Sequence, residues 1–243
     1  MRIGIIGTGT ISSAVVAGIA EDGHQISVSE RSAANSARLA AQYVSVSIAA
    51  NQAVLDQSDV IFLGLMADMA PGILAGLSFR PDHRVISLMA GVSLGQVAEL
   101  VAPAEASAIV IPFPGVATGG SPVMVQGDTT LAHSLLGARN SIFKLSSDAE
   151  LAAYMCAQAV LSPAVKMIDN AARWLSGRTG NTKQTEEFLR VLVGSSLLGS
   201  ETAPLLAALD TPGGYNQRLR EHMTACGMSA ALEEGLDKLE SSG

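Results

Sequence analysis

Residues 2–12 read RIGIIGTGTIS, a short apolar run that leads directly into a glycine-rich turn. Gly7 allows the chain to turn tightly, and Gly9 allows the backbone to approach a pyrophosphate. A helix that begins near Thr10 directs its N-terminus at that negative charge. We therefore predict a dinucleotide-binding strand, turn and helix rather than a turn with no ligand. The turn residues expected to contact the cofactor are Gly7, Thr8, Gly9, Thr10 and Ile11.

Outward from this turn, β-branched runs alternate with helix-forming stretches as far as about residue 145. Such alternation is typical of a doubly wound, mostly parallel sheet. We predict an α/β fold in which an N-terminal Rossmann-type doubly wound sheet is followed by a small all-α dimerisation domain. The predicted strands are Arg2–Ile6, Gln25–Ser29, Val60–Leu63, Arg84–Ser87, Ala108–Ile111, Pro122–Val125 and Ile142–Lys144, and the predicted helices between them are Ile11–Glu21, Ala33–Gln42, Met69–Gly76 and Leu94–Val101.

Strand-forming runs stop after Ser146, and the rest of the chain has a helical pattern. Ser147 or Asp148 is suited to cap one long helix over residues 148–176. A helical half this small and apolar usually needs a partner surface, so we predict a homodimer formed through it. The predicted domains are residues 1–147, which bind the dinucleotide, and residues 148–243, which bind substrate and form the dimer. Further helices are predicted over residues 182–200, 214–225 and 229–239.

The charge balance argues against several kinds of partner. The 243 residues carry 15 Lys and Arg against 22 Asp and Glu, which gives a formal net charge of −7. No basic cluster is present, so we expect no nucleic-acid or anionic membrane surface. There is no run of 18 purely apolar residues, so we expect no membrane span. Glycines interrupt the apolar N-terminal stretch that could otherwise imitate a signal peptide.

The cysteines and histidines predict no metal site. Cys156 and Cys226 lie far apart and match no metal-binding spacing, which is typical of reduced thiols in a cytoplasmic protein. The four histidines have no partners at ligand spacing either. We therefore expect a cytoplasmic protein without a metal.

The end of the second predicted strand carries opposing signals for the choice of cofactor. Glu30 stands where a carboxylate would hold a ribose 2′-hydroxyl, which favours NAD. Arg31 and Ser32 offer a positive charge and a hydroxyl to a 2′-phosphate, which favours NADP. We predict NADP(H), with NAD(H) and a solvated loop without a ligand as alternatives.

Two later loops should line the cofactor crevice, because ligands of such sheets bind outside the carboxyl ends of the strands. Leu65 and Met66 follow one strand, and Ala90 and Gly91 follow the next, where a glycine would allow a close approach of the nicotinamide or its ribose. The alternative for the second loop is a tight turn before a helix. Phe113 lies in a proline-stiffened loop and is either a wall of the substrate pocket or part of the core.

In the helical half, Pro212-Gly213-Gly214 precedes a helix and could form a nest of N–H groups that binds a carboxylate. The alternative is an ordinary turn between helices. Lys166 lies on an otherwise apolar helix, where it is either an acid–base group or a surface lysine.

These features together resemble the pyrroline-5-carboxylate reductase family. The resemblance extends over nearly the whole chain. The more specific of its matching segments are the last three, which begin at residue 85. The matching segments are residues 7–12, Asn51 with residues 59–62, residues 85–94, Ser162-Pro163-Ala164 and residues 211–214.

The resemblance implies an NAD(P)H-dependent reductase of a cyclic imine carboxylate, of the kind that makes proline, and an interlocked helical dimer. It places Asn51 and Leu65 at the cofactor, in addition to the glycine turn and Ala90-Gly91. It places Ser162 and Gly213-Gly214 near the substrate carboxylate. Tyr215 and Asn216 stand where the family has two threonines, and we predict Tyr215 as the proton donor to the imine nitrogen.

Several substrate-side segments differ from the family pattern. The family's Met-Pro-Asn-Thr-Pro is residues 111–115, IPFPG, and its Lys-Pro after the fourth strand is Met66-Ala67. A divergent member that reduces another imine is therefore an open interpretation. Two further alternatives are a β-hydroxyacid dehydrogenase-like enzyme, with Lys166 and Asn170 on its long helix, and a protein that binds or senses NADP without catalysis.

Overall fold

The computed structural model describes residues 1–242 of the chain. They divide into two compact units: the first is Met1–Leu151, and the second begins at Ala152.

One sheet of eight strands organises the first unit. In chain order the strands are β1 (Arg2–Ile6), β2 (Gln25–Ser29), β3 (Val46–Ala49), β4 (Val60–Leu63), β5 (Arg84–Ser87), β6 (Glu105–Pro112), β7 (Pro122–Gly127) and β8 (Ser141–Leu145). Their order across the sheet is β3-β2-β1-β4-β5-β6-β7-β8, and all neighbours are parallel except β6 and β7. The winding reverses between β1 and β4, which is where ligands bind in open α/β sheets.

Six helices connect these strands. They are α1 (Thr10–Ile19), α2 (Ala33–Gln42), α3 (Asn51–Asp56), α4 (Ala70–Leu74), α5 (Leu94–Val101) and α6 (Thr129–Leu136). The doubly wound fold predicted from the sequence is confirmed, because two separate apolar clusters cover the two faces of the sheet. Phe62 belongs to one cluster, while its neighbours Ile61 and Leu63 belong to the other, so β4 is buried on both sides.

Neither β3 nor α3 was predicted from the sequence. β3 is an edge strand in which Ser47 and Ile48 are exposed, so it lacks the continuous apolar run of a central strand. α3 spans only six residues, which is too short for a helical period to be recognised. The helices α6 and Thr202–Ala208 were also not predicted from the sequence.

The second unit contains helices only. The helix α7 (Asp148–Ala157) leads into it, and α8 (Leu161–Thr179), α9 (Thr182–Gly199), α10 (Thr202–Ala208), α11 (Tyr215–Ala225) and α12 (Met228–Ser242) follow. The single long helix predicted over residues 148–176 is wrong in one respect, because a 3₁₀ turn at Gln158–Val160 separates α7 from α8. Pro163 lacks the N–H that would bond to the Ala159 carbonyl, so the helix tightens at this point.

The helical unit has little core of its own. Among its described residues only Ala172 and Thr185 are buried, whereas Leu161, Trp174 and Leu198 are 62%, 60% and 91% exposed. The segment Asp148–Thr179 is long and apolar enough to cross a membrane by length and composition alone, and 6% of its most apolar window is buried. A large apolar surface of this kind marks a face that needs a partner.

His83 is fully buried in the first unit as a neutral ring. Its Nδ1 accepts a hydrogen bond from the Arg80 N–H at 3.1 Å, and its Nε2 lies 3.1 Å from the Leu55 carbonyl oxygen. This pattern requires Nδ1 to be unprotonated. A proton on Nδ1 would point at the Arg80 N–H, so two donors would face each other. Burial lowers the pKa of His83 below its ordinary value, and the charge of Arg80 lowers it further.

We expect the free energy of unfolding to fall as the pH drops below about 6.5. In that range His83 binds a proton in the unfolded chain but not in the folded one. Urea unfolding between pH 5 and 8 measures this dependence. His83→Gln should flatten it in part, because burial also lowers the pKa of His24. The exposed His133 is the matched control, and His133→Gln should leave the slope unchanged. An unchanged slope in His83→Gln would contradict the assignment.

Candidate functional site

The glycine turn between β1 and α1 has two different backbone requirements. Gly7 has a φ of +92°, and a Cβ at this position would lie 2.4 Å from the Gly64 carbonyl oxygen. Only glycine fits there. Gly9 has an ordinary φ of −70°, and no atom lies within 4 Å of where its Cβ would stand. Gly7 is therefore required by the fold, whereas Gly9 leaves space above the turn.

Ser12 stands where the dinucleotide-binding motif has its third glycine. It lies on the side of α1 that faces the end of β4. A Cβ added to Gly64 would lie 1.7 Å from the Ser12 Oγ, so the two residues are in direct contact. The small size of both residues holds the start of α1 close to the end of β4.

The N-terminus of α1 is open to an anion. Gly9 is its N-cap, no side chain caps it, and its first turn has no acidic residue. The first N–H groups of a helix have no partner within the helix, and the helix dipole adds positive potential there. Both properties fit a pyrophosphate over Gly9 and Thr10.

A network of buried hydroxyls fixes the turn from below. The Gly7 N–H donates to the Ser29 Oγ at 2.8 Å, and the Ser36 Oγ donates to the Ser29 carbonyl oxygen at 2.7 Å. The Thr8 and Ser36 hydroxyls are 2.9 Å apart, and the Asn35 amide donates to the Thr8 carbonyl oxygen at 2.6 Å. Sequence reasoning missed this network, because its members come from separate elements of the fold.

The residues that follow β2 are available to a ligand. Glu30 and Arg31 are exposed, and neither forms a hydrogen bond or ion pair with another described residue. Ser32 is half-buried and its carbonyl oxygen accepts the Ser36 N–H at 3.0 Å. A groove of about 310 Å³ beside the start of α1 is lined in part by Arg38, which the sequence had not indicated as a candidate.

The other predicted cofactor residues also lie at the carboxyl edge of the sheet. Asn51 begins α3 after β3, and Leu65 and Met66 follow β4. Ala90 and Gly91 follow β5, and Phe113 follows β6. All the predicted cofactor residues therefore lie at the carboxyl edge of the sheet, together with Phe113. The sequence predicted this position for the loops that follow β4 and β5.

The predicted residues of the helical unit lie on separate elements. Ser162 and Lys166 are exposed on α8, and the Lys166 ammonium forms an ion pair with Asp169 at 3.0 Å. Tyr215 and Asn216 are exposed at the start of α11. Within the described residues, no group of three or more His, Cys, Asp or Glu is arranged to hold a metal.

The N–H groups of Gly213 and Gly214 are not free to form the carboxylate-binding nest that was predicted from the sequence. The Gly213 N–H donates to the Gln217 side chain at 2.7 Å, and the Gly214 N–H donates to the Thr211 carbonyl oxygen at 2.9 Å. Both donors expected to bind a carboxylate are therefore engaged within the chain. The N-cap of α11 makes no side-chain hydrogen bond, so the open donors at this turn belong to Tyr215 and Asn216.

Comparison with known proteins agrees with this geometry. A family model described as "NADP oxidoreductase coenzyme F420-dependent" matches residues 2–91. No curated protein sequence matches the chain.

Solved structures match the whole chain at low identity. The 1-pyrroline-5-carboxylate reductase of Streptococcus pyogenes is 21% identical with a TM-score of 0.81, over 100% of this chain and 97% of that one. The NADP-bound pyrroline carboxylate reductase of Plasmodium falciparum is 14% identical with a TM-score of 0.79, over 100% and 96%. A reductive aminase of Aspergillus terreus in complex with NADPH4, cyclohexanone and allyl amine is 20% identical with a TM-score of 0.64, over 99% and 91%. The chain therefore has the fold of the pyrroline-5-carboxylate reductases, which confirms the predicted resemblance at the level of the fold.

Proposed function

We propose that this protein is an NADPH-dependent reductase of a cyclic imine carboxylate, similar in reaction to pyrroline-5-carboxylate reductase. The observation that carries the proposal is the open N-terminus of α1 above Gly9, at the point where the winding of the sheet reverses. Structures of the same fold that contain NADP or NADPH support it.

The cofactor fits the residues present. The empty space above Gly9 and the uncapped α1 accommodate a pyrophosphate. The unpaired Arg31, with Ser32, would hold a 2′-phosphate, so we propose NADP(H) over NAD(H). Glu30 beside them would instead favour a free 2′-hydroxyl, which makes the choice measurable.

The reaction requires little covalent chemistry from the protein. Reduced nicotinamide, when bound, supplies a hydride, and the chain orients the substrate and excludes water. Tyr215 is the proposed donor of the proton that the imine nitrogen gains, and the residue is 88% exposed. We propose Ser162 and the N–H groups at Tyr215 and Asn216 for the substrate carboxylate. Lys166, held by Asp169, is the less favoured acid–base group.

We propose further that the helical unit is covered by a second copy of the chain, in a soluble cytoplasmic dimer. The apolar side chains of α8 and α9 are exposed, including Val165 and Phe188 at 56% and 55%. The middle of α8 carries Lys166, Asp169 and Arg173, which are joined by ion pairs and suit water better than a bilayer.

A substrate panel followed at 340 nm tests the proposed function. The purified protein is mixed with NADPH and 1-pyrroline-5-carboxylate, with other cyclic imines, and, in the oxidative direction, with NADP⁺ and 3-hydroxy acids. We expect NADPH oxidation with a cyclic imine. Activity only on 3-hydroxy acids would support the β-hydroxyacid dehydrogenase interpretation. Tight NADPH binding without turnover would support the non-catalytic one.

The cofactor preference has its own test in Arg31→Ala. We expect NADPH to bind about tenfold to a hundredfold more weakly, since a charge-assisted contact to the 2′-phosphate is lost. NADH should bind as before. Titration of intrinsic NAD(P)H fluorescence measures both affinities, and Glu30→Gln is the matched neighbour whose effect should fall on NADH. An equal loss for both cofactors in Arg31→Ala would contradict a role at the 2′-phosphate.

A further inference from the structure

A histidine and a cysteine lie side by side at the C-terminal end of α11. His222 and Cys226 are four residues apart, and side chains at this spacing are neighbours on one face of a helix. Cys226 is the C-cap of α11, and Gly227 then turns the chain with a left-handed φ of +88°. The expectation that no histidine has a partner at ligand spacing is therefore wrong for His222, since a separation of four residues becomes a contact once the segment is helical.

The distance between the two donor atoms fits a single tetrahedral metal ion. The His222 Nε2 lies 3.8 Å from the Cys226 Sγ. Zinc binds an imidazole nitrogen at about 2.0–2.1 Å and a thiolate sulfur at about 2.3 Å, and it prefers tetrahedral geometry. A tetrahedral angle between bonds of these lengths separates the nitrogen from the sulfur by about 3.6 Å. The two side chains therefore need to approach each other by only about 0.2 Å to bind the same ion.

Both donor atoms are available to a ligand from solution. His222 and Cys226 are exposed, and Cys226 is a free thiol. Among residues 1–242, neither side chain has a hydrogen bond or ion pair with any residue other than the other member of the pair. The helix holds the two donors next to each other before an ion arrives, so little conformational freedom is lost on binding. The other cysteine, Cys156, is half-buried on α7 and contacts no histidine within the same range.

We propose that His222 and Cys226 form a binding site for a divalent cation of the zinc type. Imidazole and thiolate suit such cations, whereas Mg²⁺ and Ca²⁺ prefer oxygen ligands. Because the described residues contain no group of three or more His, Cys, Asp or Glu that could hold a metal, the protein supplies two of the ligands and water supplies the rest.

Binding of the ion exchanges one proton for one metal. The S–H bond of Cys226 breaks, and the sulfur and the unprotonated Nε2 of His222 each donate an electron pair to the ion. The thiol proton passes to solvent, and no electron is transferred. The site lies outside the residues assigned to the cofactor and the substrate, so it does not depend on the proposed function.

Titration of the reduced, full-length protein with Co²⁺ tests the site, because Co²⁺ takes the place of Zn²⁺ and absorbs light when bound. We expect one Co²⁺ per chain, with the charge-transfer band of a sulfur–cobalt bond, and displacement of this ion by Zn²⁺. Cys226→Ser should abolish the band. His222→Ala should weaken Co²⁺ binding at least about a hundredfold, since the second of two linked donors binds at a high effective concentration.

Matched variants and thermal unfolding complete the test. Cys156→Ser removes the other thiol and His133→Gln removes another exposed histidine, and both variants should bind Co²⁺ as the wild type does. Without metal, His222→Ala and Cys226→Ser should unfold at the wild-type temperature, because both side chains are exposed. Added Zn²⁺ should raise the unfolding temperature of the wild type and of the two controls only. A wild-type protein without the charge-transfer band, or a band that persists at unchanged affinity in His222→Ala or Cys226→Ser, would overturn the assignment.

Discussion

Gly9→Asp is expected to abolish NADPH binding while leaving the protein folded. The Cβ of the new side chain meets no atom within 4 Å, and the backbone at this position suits any residue. Asp is also a favourable N-cap, and relative to glycine it stabilises α1 by about a few tenths of a kcal/mol. The same carboxylate occupies the space above the turn and satisfies the N–H groups that would bind the pyrophosphate. We expect the affinity for NADPH to fall at least about a hundredfold.

Fluorescence titration with NADPH and thermal unfolding of the same sample measure the two effects together. Ala98→Asp is the matched control, because it adds one negative charge at an exposed position of α5. It should change neither the affinity nor the stability by much. NADPH binding that survives Gly9→Asp would remove the α1 N-terminus from the site and with it the main support for the proposed function.

Val165→Asp is expected to convert the proposed dimer to a monomer. Val165 is 56% exposed within one chain, so the substitution costs the isolated chain little. In a dimer that covers α8, it would bury an unpaired charge, which is strongly destabilising. We expect the dissociation constant to rise at least about a hundredfold, and the monomeric variant to lose the concentration dependence of thermal stability that a dimer has.

Sedimentation velocity over a range of protein concentrations gives the oligomeric state. Asn170→Asp, which adds the same charge at an exposed polar position of α8, should remain dimeric. A wild-type protein that sediments as a monomer would be contrary to the dimer proposal. Partition of the wild-type protein into liposomes would point to a membrane as the cover of this surface.

The sequence predicted those strands for which the residue types and the burial in the sheet indicate the same element. β1, β2, β4 and β5 are buried over nearly their whole length, and each is a short run rich in Ile and Val with clear ends. The half-exposed β3 has no such run, and its position depends on pairing with β2, which residue pattern does not encode.

The candidate site was predictable where a backbone conformation demands a residue type. Gly7 is such a position, since its left-handed φ and close contact with Gly64 exclude a side chain. The state of the Gly213 and Gly214 donors was not predictable, because it depends on the Gln217 rotamer and on the local turn. The Ser29–Ser36 network was likewise out of reach, since it joins residues that become neighbours only when α2 packs on the sheet.

The hydroxyl network beneath the glycine turn has a consequence for the entropy of binding. Its members are Ser29, Ser36, Thr8 and the amide of Asn35, none of which ionises in the physiological range. The turn therefore holds one shape before the dinucleotide arrives and keeps it across a wide range of pH. A turn that is already ordered loses little conformational freedom when it takes up a ligand, so more of the contact energy is retained as affinity.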